Sequence, residues 1–415
     1  PDVKLTGDGG PPLAKAASFV ETKCPTCNGP ARREVETMDT FVDSTWYFAR
    51  FLDPKNAKEP FARANADAWL PVDIYIGGPE HAVLHLMYFR FWTMVMKDIG
   101  LVAHGEPAKK LLTQGMVVAP TFKCPVHGYV ERTATDAGDR SDLSEVRHRA
   151  PCGELVAVEM EKMGKSKANG VSPDQMATEY GADTARIFSL FAAPPEKDLE
   201  WDEKSVIGSY RFLKRVWNFT HAERERIMNS ADGLSLDGAA LEKESALGAA
   251  AWRSAHDAVR TVTADVGERY HYNTGVSTLM ALINELEAIP VGDRGKPLVA
   301  SAMKFAVETL LRLLNPYAPH ITEELWEQLG HTSTIVAAGW PKFDPAALVT
   351  STAEFTVQVN GKVRGHVTVA ADADEKTVLA AAEADEKVKP WIDGKERVKN
   401  VFIPKSRMLN LVVKG

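Results

Sequence analysis

Val72-Asp73-Ile74-Tyr75-Ile76-Gly77-Gly78-Pro79 is the stretch on which the reading of the fold turns. A short, mostly apolar run closed by Gly-Gly-Pro reads as a buried strand ending in a turn. A helix is then expected from Pro79 to Asp98. Proline suits a first helical turn, Leu84, Met87, Tyr88, Phe91 and Val95 recur at helical spacing, and Gly100 comes after the end. Residues 111–118 read as a second strand. Strand–helix–strand order predicts a parallel α/β sheet.

Outward from this unit the pattern changes several times. Residues 1–35 are Gly/Pro-rich and read as the end of an inserted module. Residues 36–52 gather Phe41, Trp46, Tyr47, Phe48 and Phe51. Residues 119–158 are polar and interrupt the sheet, 160–172 read as a loop, and 173–193 are helical. From 205 to 331 the period is helical throughout, with Trp252, Val259, Val262 and Val266 on one face, and Ile321, Leu325 and Leu329 on another before the stop at Gly330. In the last sixty residues Phe355, Val357 and Val359 alternate up to Asn360-Gly361, a strong hairpin signal. A helix at about 375–388 and strands near 398–403 and 408–413 complete a small α+β domain. The expected division is 1–35, then 36–118 with 159–204 as an α/β core, 119–158 inserted into it, 205–348 helical, and 353–415.

The bulk properties set limits. A chain of 415 residues predicts two to four domains, and its 45% hydrophobic and 25% charged residues are ordinary for a globular protein. No apolar run reaches the roughly 18 residues of a membrane span, and no signal-peptide pattern opens the chain. A cytoplasmic protein with neither membrane nor DNA as partner is expected. Residue 1 is proline, so the sequence reads as a fragment or a processed product. The net charge of -7 argues against a broadly basic nucleic-acid binder. Residues 353–415 nevertheless hold eleven Lys/Arg against nine Asp/Glu, a net of +2, which fits local contact with phosphates or simply a solvated face.

Chemistry concentrates in Lys162-Met163-Gly164-Lys165-Ser166. Two lysines three apart on a glycine-containing loop beside an α/β sheet can place two ammonium groups on a polyphosphate, where adenylyl transfer needs positive charge. The competing reading is a solvated basic loop. The segment resembles the K-M-S-K-S signature of class I aminoacyl-tRNA synthetases, with Gly164 in place of the first serine. Lys167–Pro173 and Tyr180–Arg186 are similar to the segment C-terminal to this loop in leucine–tRNA ligases. Thr37–Tyr47, Tyr75–His85 and Leu111–Val117 resemble the M-D-T-F-V-D-S-S-W-Y, Y-I-G-G-x-E-H-A-x-x-H and L-L-x-Q-G-M-V motifs of the same family. Four motifs in the right order span most of the chain.

The resemblance implies the C-terminal half of a class I nucleotide fold, then a helical tRNA-binding domain and a small tRNA-contacting domain. It implies a leucine pocket lined by Phe41, Ser44, Tyr47, Tyr75, His81 and His85. The two histidines lie four apart on one expected helix face. As a metal pair they lack the H-E-x-x-H pattern, and the aromatics have core packing as their alternative. Gly78 and Glu80 are expected at the adenosine, with His81 close by, and Gln114, Met116 and Val117 at the adenine. Lys162, Lys165 and Ser166 are expected on the ATP phosphates, the two lysines in the catalytic role. Gly164 adds freedom to the loop and removes a hydroxyl. ATP, leucine and tRNA(Leu) are the implied substrates, with Mg²⁺ accompanying ATP. Asn315–Trp326 resembles a helix start in the tRNA-binding domains of the Leu, Ile and Val enzymes. The C-terminal hairpin suggests Lys362, Arg364, Lys395, Arg397, Lys399, Lys405 and Arg407 as phosphate contacts, each with an ordinary surface role as its alternative.

Two cysteine groups suggest Zn²⁺. Cys24 and Cys27 form half a zinc knuckle, whose other ligands could lie in a missing N-terminal half. Cys124, His127, His148 and Cys152 have the number and spacing of a full set. Four free thiols are the alternative.

Class I enzymes also need an H-I-G-H motif, and none is found here. The chain is therefore expected to hold one wall of an active site, inactive without an N-terminal half supplied in the same polypeptide or as a separate subunit. Two rivals stand beside a leucine ligase. One is a non-catalytic tRNA-binding module, and the other is a sibling isoleucine or valine ligase.

Overall fold

A computed structural model describes residues 3, 7, 9–138, 140–231, 236–348, 352–370 and 373–414. Contacts divide the chain into two compact units, residues 1–171 with 193–201, and residues 172–192 with 202–415. The sequence division keeps 159–204 together, whereas the contacts group 172–192 with the helical residues.

The first unit opens with a two-stranded antiparallel ribbon, β1 (Glu21–Lys23) and β2 (Pro30–Arg32). Next comes the expected parallel pair, β3 (Tyr75–Gly77) and β4 (Leu111–Thr113), in the register Tyr75↔Leu111 and Gly77↔Thr113. Val72 makes a separate parallel bridge to Ala108, so the ladder is shorter than the apolar run. Phe48, Phe61, Phe89, Met96 and Val102 form the core beneath it.

Three local expectations need correction. The helix begins at His85, not Pro79. Pro79–His81 forms a single 3₁₀ turn, and Leu84 at φ -93, ψ -87 separates it from the His85–Asp98 helix. The run 111–118 is two strands, not one. Gly115 donates its N–H to the Pro195 carbonyl at 2.8 Å, and β5 (Val117–Cys124) leaves for a second sheet. That sheet holds β6 (Gly128–Val130) and β7 (Ala157–Lys162) antiparallel to β5, with β8 (Leu199–Glu200) parallel to it. Finally, residues 160–162 are strand, and Lys162 ends β7 opposite Val118. The charged sequence Ala157-Val-Glu-Met-Glu-Lys162 hides this strand, because much of it faces solvent.

The second unit is the helical bundle plus the small domain. Helices Glu203–Asn229, Ala246–Ala264, Tyr272–Ala288, Pro297–Leu314 and Pro319–Gln328 close over one apolar core that includes Val216, Leu279, Leu310, Tyr317 and Trp326. Asp202 caps the first of these, accepting from the N–H groups of Lys204 and Ser205. Proline opens the last two, and Gly330 at φ +91 closes the final one. The small domain is a sheet of order β10-β9-β12-β11: β9 (Thr352–Val359), β10 (Lys362–Ala370), β11 (Arg397–Ile403) and β12 (Met408–Val413). Asn360 and Gly361 both have positive φ, +51 and +78, as a type I′ turn requires. The helix expected to reach 388 ends at Ala384. No helix among the described residues is long and apolar enough to cross a membrane.

Candidate active site

The carboxyl ends of β3 and β4 open onto a cavity of about 450 Å³. Crevices at the carboxyl ends of parallel strands are where open α/β sheets bind ligands. Phe41, Ser44, Tyr75, Gly78, His81 and His85 line it, with Leu86, Leu111 and Leu112 among the apolar walls. Five of the six expected pocket residues therefore face one space. Tyr47, the sixth, is not in the lining and stands behind it, bonded to Tyr75. His81 and His85 belong to different elements, yet their rings meet edge to face at 6.1 Å. The late helix start still delivers both to the cavity.

One chain of hydrogen bonds organises this wall. Ser44 Oγ donates to the Phe41 carbonyl at 3.1 Å. Having spent its proton, Ser44 Oγ can only accept from His85 Nδ1, 3.4 Å away. A neutral His85 with its proton on Nδ1 leaves Nε2 as an acceptor, so Tyr75 Oη donates to it at 2.7 Å. Tyr47 Oη then donates to Tyr75 Oη at 2.8 Å. A single carbonyl thus fixes four proton positions. Burial, with the nearby His81, holds His85 below its ordinary value. Burial, with the bond to Tyr47, pushes Tyr75 up. Both shifts keep the chain uncharged. Beneath it Tyr75 stacks on Phe89 at 4.4 Å. His81 Nδ1 is buried with no partner of its own.

Of the expected nucleotide residues, Gly78 lines the cavity, and Glu80 and Gln114 adjoin lining residues in the chain. Glu80 pairs with Lys162 at 2.5 Å, and that bond holds the Glu80 carboxyl below its usual range. Gly78 makes room for this carboxylate, since a Cβ there would lie 2.3 Å from Glu80 Oε2. Gln114 donates its N–H to the Gly77 carbonyl, Met116 donates to Asp198 Oδ1, and Met163 donates to the Val117 carbonyl, each at 2.8 Å. The last of these ties the lysine-bearing segment to the expected adenine strand. Lys165 and Ser166 lie exposed on a 3₁₀ turn, Lys165–Lys167.

Two features escaped the sequence reading. Asn169 braces the loop: its Oδ1 accepts from Gly164 N–H at 3.0 Å, and its Nδ2 donates to the carbonyls of Ala119 and Glu161. The Asn169-Gly170 pair just after the lysines was the available signal. Asp198 is the second, placed by β8 and not by any motif. Gly164 itself sits at φ -168 with Ser166 Oγ 3.9 Å from a built Cβ, so a serine fits its backbone and space.

The cysteine groups differ. Cys24 and Cys27 lie on the turn between β1 and β2, where the backbone N–H groups of Cys27 and Thr26 draw the Cys24 thiol down. Among the described residues no further ligands gather there, while Cys124, His127, His148 and Cys152 bring their ligand atoms within 4.8 Å of one another. Burial acts to raise the Cys124 thiol, but the His127 side chain and the backbone N–H groups of His127 and Val126 outweigh it and set it at about 6.

Of the basic candidates in the small domain, Lys362, Lys395, Lys399 and Arg407 are exposed. Arg397 is paired with Glu383 at 2.5 Å, and Arg364 lies flat over the Trp391 ring at 3.2 Å. These two are already engaged within the domain. The Lys405 side chain lies outside the described set.

Comparison with known proteins gives this geometry its context. Residues 249–379 match the family described as the anticodon-binding domain of tRNA ligase. The leucine–tRNA ligase of Syntrophus aciditrophicus (strain SB) is 44% identical over 416 aligned residues, covering 100% of this chain. That of Fusobacterium nucleatum is 39% identical over 415, again covering 100%. The chain is similar to these leucine–tRNA ligases along its whole length. It spans about half the length of these relatives, 47% of each. A crystal structure of Agrobacterium radiobacter K84 agnB2 LeuRS, in a ternary complex with tRNA and LeuAMS, superposes with a TM-score of 0.72 at 29% identity, covering 100% of this chain and 47% of that one. Over the part it spans, the α/β fold is similar to that of a class I synthetase, with a helical bundle and a small sheet domain.

Proposed function

We propose that the chain supplies the leucine pocket and the phosphate-binding lysines of a leucine–tRNA ligase, completed by an N-terminal half. The observation that carries this is the sharing of one strand-end crevice. The apolar, aromatic cavity with its neutral polar wall adjoins the Glu80–Lys162 pair and the Met163–Val117 bond. An isobutyl side chain suits such a cavity, which has apolar walls and few polar atoms. The unpartnered His81 Nδ1 is available to the polar end of the amino acid. The established function of the relatives supports ATP, leucine and tRNA as substrates.

In this reading the leucine carboxylate attacks the ATP α-phosphate and pyrophosphate leaves, giving leucyl-adenylate. The tRNA ribose hydroxyl then takes the leucyl group and AMP leaves. No covalent enzyme intermediate is needed, so the protein's part is positioning and charge stabilisation. Lys162 and Lys165 hold the phosphates with Ser166, while Gly78, Gln114, Met116 and Val117 flank the adenosine. Glu80 exchanges Lys162 for ribose hydroxyls. The exchange is cheap, because both side chains are about half exposed, at 51% and 44%, and water screens such a pair. Mg²⁺ enters with ATP as part of the substrate. Lys362, Lys395, Lys399 and Arg407 meet tRNA phosphates. A cytoplasmic location belongs to the same proposal.

The test is leucine-dependent ATP–pyrophosphate exchange, on this chain alone and mixed with a matching N-terminal half. Exchange is expected only in the mixture, specific for leucine over isoleucine and valine, and reduced ~10²–10³-fold by Lys165→Ala. No exchange in a mixture shown to assemble leaves a tRNA-binding module instead.

A further inference from the structure

We propose that Cys124, His127, His148 and Cys152 bind one tetrahedral Zn²⁺ ion, which closes the outer end of the β5–β7 module. The inference is independent of the aminoacylation reading and rests on distances. Zinc bound tetrahedrally at ~2.3 Å from sulfur and ~2.0–2.1 Å from nitrogen places two sulfurs about 3.8 Å apart, and sulfur and nitrogen about 3.5 Å apart. Here Cys124 Sγ and Cys152 Sγ are 3.8 Å apart, and Cys124 Sγ and His127 Nδ1 are 3.5 Å apart. A disulfide would need the two sulfurs at about 2.05 Å. The rings of His127 and His148 face each other edge to face at 4.8 Å, and His148 Nδ1 is buried with no partner. A buried imidazole nitrogen left unsatisfied is costly unless something absent from the protein's own atoms fills the role.

The local folding is built for the same end. Cys124 ends β5 and His127 precedes β6, joined by a turn that closes at Gly128 with φ +73. His148 and Cys152 lie on a second turn, in which the Gly153 N–H reaches the His148 carbonyl at 3.1 Å and Gly153 has φ +70. Each ligand pair is thus presented by its own tight turn. Thr135↔His148 and Arg147↔Leu155 are the isolated bridges that bring the second turn against the rest of the module. The module is poor in core. Phe122, Cys124, Ala137, Val146 and Val156 are its buried hydrophobic cluster, and one of these is a ligand. A module this thin gains folding energy directly from a metal. Two thiolates with two imidazoles in tetrahedral array favour zinc among the common metals.

The location gives the ion a further consequence. Strand β7 starts opposite Lys123, next to the metal end, and finishes with Lys162 opposite Val118. About 20 Å of ladder therefore separates the ion from the first lysine of the loop. A slip of one residue in that ladder would turn Lys162 to the other face of the sheet.

The experiment uses the full chain carrying Cys24→Ser and Cys27→Ser, so that the other cysteine pair cannot contribute. Elemental analysis after dialysis should give one zinc per chain, and Cys152→Ser or His148→Ala should remove it. Because those variants could lose metal simply by unfolding, the four ligands are also left intact and loaded with Co²⁺. Thiolate-to-cobalt charge-transfer bands, with d–d bands of tetrahedral intensity, are expected. The two remaining thiols should react with a thiol reagent only after chelation. Zinc-free protein after dialysis, six-coordinate cobalt, thiols equally reactive with and without metal, or a Cys124–Cys152 disulfide in reduced-buffer preparations would each overturn the site.

Discussion

Replacing Tyr75 by phenylalanine removes one hydroxyl from the middle of the pocket's hydrogen-bond chain and little else. The ring keeps its stack on Phe89 at 4.4 Å, so packing is retained. Two groups lose a partner: His85 Nε2, bonded at 2.7 Å, and Tyr47 Oη, bonded at 2.8 Å. Tyr47 is 38% exposed, and its hydroxyl can turn to water. His85 Nε2 is on a partly buried ring and loses the hydroxyl that donated to it. One stranded acceptor costs ~1 kcal/mol or somewhat more. In a unit of this size each kcal/mol lowers Tm by ~2–4 °C. Tyr47→Phe should cost clearly less, because Tyr75 still donates to His85. The assay is thermal unfolding monitored through the transition of the first unit, with ¹⁵N NMR of the histidine rings for the tautomer. The derived proton order requires His85 to carry its proton on Nδ1. A proton on Nε2, or Tyr47→Phe being as damaging as Tyr75→Phe, would refute the reasoning.

Two other places in the fold carry predictions of their own. Gly115→Ala puts a Cβ 2.0 Å from the Lys197 carbonyl oxygen and 2.5 Å from the Asp198 nitrogen, both backbone atoms that cannot swing aside. Overpacking there, plus loss of the Gly115–Pro195 bond, should cost ~2–4 kcal/mol by chemical denaturation; a change below ~0.5 kcal/mol would show that the 195–198 segment yields freely. His256 in the helical bundle is held below its ordinary value of 6.5 by burial, against the pull of Asp344, and its Nδ1 accepts from the Asp344 N–H at 3.0 Å. The unfolded chain therefore takes up this proton at a higher pH than the folded one. Stability of the second unit should be full above pH 6.5, fall as pH drops below it, and level off beneath the depressed folded value. His256→Gln should flatten that fall in denaturant titrations, and an unchanged profile would count against it.

Features that depend on neighbours a few residues apart could be read from the chain directly. The parallel pair was legible in Val72–Pro79 and 111–118, because a short apolar run and a Gly-Gly-Pro turn are local signals. The hairpin at Asn360-Gly361 was legible because those residue types tolerate the positive φ that the turn demands. The helical bundle showed in its apolar period, and its last helix in the stop at Gly330. Of the six residues that the motifs suggested for a leucine pocket, five line one cavity.

Other features are set by segments distant in the chain. Whether 111–118 is one strand or two depends on residues 195–198, some eighty positions away, which crowd Gly115. The strand ending at Lys162 was hidden because its charged side chains face water and only its pairing with β5 reveals it. The helix start at His85 is set by a 3₁₀ turn that sends Glu80 to Lys162 and His81 into the cavity, although proline favours an earlier first turn. Spacing marked Cys124, His127, His148 and Cys152 as candidates, but only folding brings their atoms within 4.8 Å. The direction of the Tyr47–Tyr75–His85–Ser44 chain derives from one backbone carbonyl at Phe41. Periodicity and turn chemistry act over one to four residues, whereas close approach, strand pairing and proton order arise between segments that meet only in the folded chain.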